Sequence, residues 1–465
     1  MKKIKMPVFL HLVFIFQSAL FTNACAQIAD QEVFATSVND GFTIAVVGDL
    51  IIANPLDHML ADPGFAAVTE ILQNADVATG NLEVNIINGR DFAGSAGGGF
   101  GAEPAAAEWL KRMGFDIVAR PNNHADDFGL EGLAETSAHL DRAGLQHAGY
   151  GDSYWAAKAA RYYSSEKGRV GMVAVSDHQP QAQLARGEWP GTGGLSPLRV
   201  TRYFMLPEES WEDLQNLRDH FPNGTGFYAR GLNSGDEIDF LGNRFRRADR
   251  EVTEPYYHYE INERDLRDTL SAIRTGKIRS DLVTVAIHAH HFLDAKGGYR
   301  GEGIAEGEHL DTNPSIADYL PVFARAAIDN GADVFQGTGV HALRGIEIYK
   351  ERPIYYGLGE FIRQMDIIGL QGRGDPQRSV GPEGFEFPVK FESIIAVNEF
   401  NGGQLSEVRI YPVEARYEEA KLSLRGIPRL APPVIAQRIL RRLQVLSEPL
   451  GTKIEIEGNI GIIRL

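Results

Sequence analysis

Two stretches of this chain are apolar without a break, and each stops on a residue that can bind a proton or a metal. Residues 42–48 (FTIAVVG) run into Asp49, and Leu282–His288 (LVTVAIH) ends on a histidine. A strand with one wet face alternates polar and apolar residues, whereas a strand covered on both faces is apolar throughout. Both runs therefore read as buried strands of a parallel type. Around them helix and strand patterns alternate. Residues 65–74, 104–113, 130–143, 263–274 and 315–330 read as helices, with Pro104 in a first turn and Gly144 as a stop signal. Residues 76–81, 116–120, 169–176 and 333–336 read as further strands, and 347–356 as a hairpin turning at Glu351-Arg352-Pro353. Such alternation predicts an α/β fold with a largely parallel sheet.

The chain of 465 residues carries a formal charge of −16, which argues against a nucleic-acid partner, because phosphate contacts need clustered Lys and Arg. At the N-terminus Lys2, Lys3 and Lys5 precede an apolar stretch with small residues after it, the pattern of a secretory leader. Two readings of its end are open. Ala24-Cys25-Ala26 has the form of an ordinary cleavage site, and Thr22-Asn23-Ala24-Cys25 that of a degenerate lipobox that would place a lipid on Cys25. Export to the periplasm or a lipid anchor in the cell envelope is expected, with membrane contact only through the leader or the lipid. Cys25 is the sole cysteine, so a metal in the mature body has to be held by imidazole, amide and carboxylate groups. The expected organisation is a leader at 1–26, a tether at 27–41, a main domain at 42–383 with an insertion or cap at 179–250, and C-terminal strands and a helix at 384–465 packed on the same domain. The Gly-rich stretch 92–102 lacks the Lys of a phosphate cradle and reads as a surface loop. Two readings of Trp189, Tyr203, Phe204, Trp211, Tyr256 and Tyr257 are open: they line a polymer or sugar groove or, the commoner case, build the insertion's own small core.

Ligands of open α/β sheets bind beyond the carboxyl ends of the strands. The polar interruptions of this chain fall at those positions. Asp49 follows the first strand, Glu83 the second, Asn122-Asn123-His124 the third, His288-Ala289-His290-His291 a later one and His341 the strand at 333–336. One such Asp is ordinarily a helix cap, and one such His a surface residue. Repetition at successive strand ends points instead to a shared site. Carboxylates hold and bridge divalent ions, while neutral imidazoles and an amide oxygen complete the shell. A histidine beside the ions, oriented by a carboxylate, can hand a proton to a leaving group.

The motifs Gly48-Asp49-Leu50, Asn81-Leu82-Glu83, Asn122-Asn123-His124-Ala125-Asp126-Asp127-Phe128-Gly129 and Gly337-Thr338-Gly339-Val340-His341 resemble the bacterial capsule-synthesis CapA (poly-γ-glutamate synthesis) family. Gly345-Ile346-Glu347-Ile348-Tyr349 and Pro353-Ile354-Tyr355-Tyr356-Gly357-Leu358-Gly359-Glu360-Phe361 extend the resemblance. It implies a calcineurin-like metallophosphatase fold, a β-sandwich flanked by helices, here with an insertion. It further implies Asp49, Glu83, Asn123, His288 and His341 as metal ligands, His124 as the acid or phosphate-facing histidine, and Asp127 as its orienting carboxylate. The implied cofactor is one or two divalent ions, with Mn, Fe, Zn and Ca as candidates. The implied partners are a capsule or cell-envelope polymer, its precursors and capsule-synthesis membrane proteins. The chain departs from the family pattern at Ile51, where His is usual; at Thr338, where His is typical; at His291, where an acidic residue is typical; and at Gly357 and Glu360, where Ser and Asn are common. His290 and His291 are candidates to replace the imidazole missing at Thr338. The expected activity is that of a metal-dependent hydrolase or transferase acting on an envelope polymer or an ester or amide substrate. The rival readings are a non-catalytic capsule-machinery subunit and a generic periplasmic phosphoesterase.

Overall fold

The computed structural model describes residues 38–89, 92, 94, 99–186, 188–220, 235–293, 315–365, 367 and 388–465; the leader with Cys25 and most of the tether lie outside the described residues. Two large sheets organise them. The first, of ten strands, is built around Phe42–Ile51, which pairs in parallel with Val77–Leu82 and antiparallel with Glu392–Asn401. Beyond Val77–Leu82 the order continues through Ile117–Ala119 to Gln146–Ala148, all parallel. In the second sheet, of six strands, Leu282–His288 lies between Gly168–Ser176 and Val334–Thr338, again all parallel. The predicted parallel arrangement therefore holds for the strands that precede the site, while the C-terminal strands run antiparallel to them.

The continuous apolar runs are explained by what covers them. One core contains Phe42, Ile44 and Val46 of the first sheet together with Val170, Met172, Leu282 and Val334 of the second, so the two sheets face each other across it. Alternate residues point outward. Ala45, Val47 and Ala78 meet Phe65, Val68 and Leu72 of helix Pro63–Asn74 and Trp109 and Leu110 of helix Ala105–Met113. On the far side Val173, Val283 and Val285 meet Ile273 of helix Glu263–Ile278 and Phe323 of helix Tyr319–Asp329. The result is a mixed α/β protein in which the central strands are dry on both faces. Local chemistry sets the helix ends. Asp62 accepts a hydrogen bond from Phe65 N at 2.9 Å, and Gly144 closes helix Gly129–Ala143 at φ 72°.

Four expectations shift. The insertion folds into a four-stranded sheet in which Val200–Leu206 pairs with Tyr256–Ile261, so its boundary lies beyond residue 250. Trp211 and Tyr203 are buried within it, but Trp189 is 58% exposed and builds no core. The hairpin turns at Lys350 and Glu351, both at positive φ (48° and 57°), while Arg352 and Pro353 belong to strand Arg352–Tyr355. The helix expected from residue 315 begins at Tyr319.

The first strand continues past its apolar run to Ile51, and its end is crossed closely by another segment. Asp49 N donates to Gly359 O at 3.0 Å, and a Cβ on Gly48 would stand 1.8 Å from that same oxygen. Pairing with Glu360–Arg363 shifts register between Asp49 and Leu50. Gly48→Ala is therefore expected to cost about 3 kcal/mol or more, because only backbone movement can relieve the overlap. Chemical denaturation of wild type and variant checks this.

Candidate functional site

The strands of both sheets end at one edge, and the side chains that follow them converge there. Asp49 is wholly buried; its Oδ1 accepts from Asn81 Nδ2 at 2.8 Å, and its Oδ2 lies 3.5 Å from His341 Nδ1. Glu83, directly after strand Val77–Leu82, is wholly buried as well, with Oε1 3.6 Å from His288 Nε2. Asp49 Oδ2 and both carboxylate oxygens of Glu83 receive no hydrogen bond from the described residues. Burial opposes the charge of Asp49, yet His288 and His341 hold its carboxyl well below the usual range. Burial, and then the neighbouring Asp49, push Glu83 well above it. Burial also works against a charge on His341, but Glu360 and Glu83 hold that imidazole well above its ordinary value.

His288 ends the central strand of the second sheet and is buried. Its Nδ1 is 3.0 Å from Thr338 Oγ1, the side chain opposite it in register, and its Nε2 is 2.8 Å from Asn123 Oδ1 and 2.8 Å from His290 Nε2. Thr338 thus steadies an imidazole instead of supplying one. His341 reaches the site from a tight loop, at φ 55° after Gly339 at φ 98°, and its Nδ1 lies 3.1 Å from Glu360 Oε1. Among the described residues, Asp49, Glu83 and His288 offer donor atoms within 4.8 Å of one another, as do Glu83, His290 and His341. His291 takes no part in either group. Its Nδ1 is 2.8 Å from Tyr319 OH and its Nε2 3.2 Å from Asp177, because successive residues leaving a strand point in opposite directions. Ile51 lies in the helix-covered core.

His124 stands at the rim. Its Nδ1 is 2.9 Å from Asp127 Oδ2, and its ring stacks on Phe100 with centroids 3.6 Å apart. Phe100 N donates to the same Asp127 oxygen at 2.5 Å, so carboxylate, ring and loop hold one another. Asn122 builds the loop beneath them, its Nδ2 donating to Leu82 O at 2.7 Å and its Oδ1 accepting from His124 N at 3.1 Å.

Sequence reasoning missed Glu360, His178 and Asp177. Glu360 is 2% exposed, lies opposite Asp49 in register and is ion-paired with Arg363 at 2.5 Å. Burial opposes its charge, but Arg363 and then His341 keep it below the usual carboxylate range. In the sequence it stands out only as a departure from a motif. His178 follows the end of strand Gly168–Ser176, with Nδ1 2.6 Å from Ser176 Oγ and its ring 5.4 Å from that of His290. Burial, then the charge of His288, push it down to about 4. The strand-end rule that singles out His288 would have found it. Asp177 lines a cavity of about 430 Å³ shared with Gln181, Thr201 and Asn262, between the site and the inserted sheet. That volume is in the range of small-molecule sites.

Fold and site together define a mixed α/β protein whose strand ends enclose a buried carboxylate–imidazole cluster. The chain is 37% identical over 465 residues to the uncharacterized protein y4sH of Sinorhizobium fredii (strain NBRC 101917 / NGR234), across 93% of this chain and 95% of that one. It is 22% identical over 367 residues to the PGA biosynthesis protein CapA of Bacillus subtilis (strain 168), across 78% and 73%. A crystal structure of a hypothetical protein from Thermus thermophilus covers 80% of this chain and 99% of that one, at 14% identity and a TM-score of 0.36. The bacterial capsule synthesis protein family PGA_cap matches residues 43–296 and 307–365, and the chain belongs to this CapA-like family.

Because burial and the neighbouring Asp49 oppose a charge on Glu83, Glu83→Gln is expected to stabilise the protein by on the order of 1–3 kcal/mol, the cost of a buried like charge that the neutral amide does not carry. Chemical denaturation of wild type and variant in the presence of chelator measures the effect.

Proposed function

We propose that this protein is an exported, divalent-metal-dependent enzyme of capsule or poly-γ-glutamate biosynthesis, acting on an envelope polymer or an ester or amide bond in its precursors. One observation carries the metal reading: Asp49 Oδ2 and both oxygens of Glu83 are buried without a hydrogen-bond donor among the described residues, while facing the imidazoles of His288 and His341. Carboxylates are stable in such a place when a cation neutralises them. Asp49, Glu83, Asn123, His288 and His341 would hold the ion, with Glu360 beside them. The paired sheets with helices outside and the site at the strand ends fit the calcineurin-like metallophosphatase arrangement that the motifs imply. Export rests on Lys2, Lys3 and Lys5 and the apolar stretch after them. Among the described residues no helix is long and apolar enough to cross a membrane.

A bound divalent ion supplies Lewis-acid polarisation of an ester, amide or phosphoryl oxygen and lowers the pKa of water. The chain's own residues do the rest. Asp127 accepts the Nδ1–H of His124 and so fixes the tautomer whose Nε2 exchanges a proton with the leaving group. Phe100 holds the ring plane, and Asn122 keeps the loop against the second strand's end. The polar cavity beside Asp177 offers room for the flanking part of a substrate.

Wild type, Asp49→Ala and His124→Ala would be compared for metal content by elemental analysis and for turnover of aryl phosphate esters and γ-glutamyl peptides. Asp49→Ala is expected to lose metal and turnover together. His124→Ala is expected to keep its metal while turnover falls about 10²–10⁴-fold, the usual contribution of a positioned acid–base group. A wild-type protein that takes up no Mn, Fe, Zn or Ca overturns the metal reading. Metal uptake without turnover of either substrate class overturns the enzyme reading in favour of a binding subunit.

A further inference from the structure

The cavity of about 430 Å³ beside the inserted sheet has a lining whose polar groups are only partly used within the protein. Asp177 stands where the cavity approaches the strand-end cluster. Its Oδ2 lies 3.2 Å from His291 Nε2, while its Oδ1 is buried and receives no hydrogen bond from the described residues. The next residue, His178, reaches the cluster itself, with its ring 5.7 Å from that of His288 and 5.4 Å from that of His290. A ligand in the cavity is therefore one residue away from the imidazoles. Asn262 commits its Oδ1 to Asp265 N at 3.1 Å, where it caps helix Glu263–Ile278, and keeps its Nδ2 as a donor. Gln179 likewise uses Oε1, on Gln181 N at 3.2 Å, and keeps its Nε2. The Thr201 hydroxyl completes the set of neutral groups.

The charges of the lining disfavour an anionic occupant. Among the described residues that line the cavity the one cation is Arg199, and its Nε and Nη2 are both spent on the buried Asp265, at 2.6 and 2.7 Å. Glu260 is matched by Arg246 at 2.7 Å, which also serves Glu237 at 3.1 Å. The ionisable neighbours of Asp177 are the imidazoles of His291 and His178, at 3.2 and 3.4 Å. A chain with a carboxylate on every unit would bring like charge to Asp177 and find Arg199 already paired. An ammonium would suit Asp177 and Glu260 but leave the amide donors of Gln179 and Asn262 unanswered. A hydroxyl does both, because it gives its proton to a carboxylate and accepts one from an amide. We propose that this cavity is a subsite for a neutral, hydroxyl-rich unit of the substrate, a saccharide ring, held beside the strand-end cluster with Asp177 and Thr201 bonded to its hydroxyls. This deepens the function proposed above, on which it rests for a reacting bond next to the cavity.

Calorimetric titration of the full mature chain in the presence of chelator is the test. The probes are tri- and tetrasaccharides of glucose, galactose and N-acetylglucosamine, a γ-glutamyl trimer and putrescine. At least one neutral saccharide is expected to bind, and the trimer and the diamine are not. Asp177→Asn is expected to weaken saccharide binding about fivefold or more, because a charged acceptor becomes a neutral one. Thr201→Val is expected to weaken it about three- to tenfold, the loss of one neutral hydrogen bond. Circular dichroism identifies a variant that fails to fold. Valine keeps the branched shape of threonine in strand Val200–Leu206, so Thr201→Val decides if Asp177→Asn does not fold. Saccharide binding unchanged by both substitutions overturns the role of this cavity, and failure of every neutral saccharide to bind overturns the occupant. Binding of the γ-glutamyl trimer or of putrescine that these substitutions weaken overturns it too, in favour of an anionic or a cationic ligand. Chelator keeps metal out of this measurement, so saccharide binding supports the subsite even in a protein that turns nothing over, and the two readings fail separately.

Discussion

The constraint on which the rest of this structure depends is the withdrawal of Asp49 and Glu83 from water. Two carboxylates with free lone pairs in a dry interior repel each other and lack the solvation that stabilises them elsewhere. Holding them there requires walls on all sides, and the two sheets provide those walls. The first sheet delivers Asp49 and Glu83 from adjacent parallel strands. The second delivers His288 and, through a strained loop, His341 at φ 55°. Without the shared core of Phe42, Ile44, Val170 and Leu282 the two strand edges would not meet, and the carboxylates would be hydrated.

The site is thus in tension with the stability of its own fold. Asn81 and the histidines relieve part of the repulsion, and Glu360 and Glu83 favour a charge on His341 against the effect of burial. Arg363, buried beside Glu360, relieves another part. A cation would replace these internal compensations with a stronger one. Backbone strain is also present there: His341 is a non-glycine residue at positive φ, and Gly48 packs closely against Gly359. Strain stored at a site and balanced by the surrounding structure is the pattern expected of functional regions.

The family match stops at residue 365, yet strands Glu392–Asn401 and Gln404–Glu414 continue the first sheet beside Phe42–Ile51. Glu392 at the start of that segment anchors Arg438 and Arg442 of helix Pro433–Ser447, which locks the C-terminal helix onto the sheet. The C-terminal segment thus buttresses the strand that carries Asp49.

The positions of the central strands and of Asp49, Glu83, Asn123, His124 and His288 were legible in the sequence. A strand dry on both faces must be apolar throughout, and ligands gather where such strands end. Glu360 was not legible as a site residue, because its place opposite Asp49 comes from pairing between segments more than three hundred positions apart. Nor was the separation of His290, which lies beside His288, from His291, which faces Tyr319 and Asp177, because sequence leaves the two equivalent. Sequence by itself determined the alternation of strands and helices and the residue types available for chemistry, since both follow from local periodicity. Only the tertiary structure decided which of those residues share one buried volume, because that depends on how two sheets face each other.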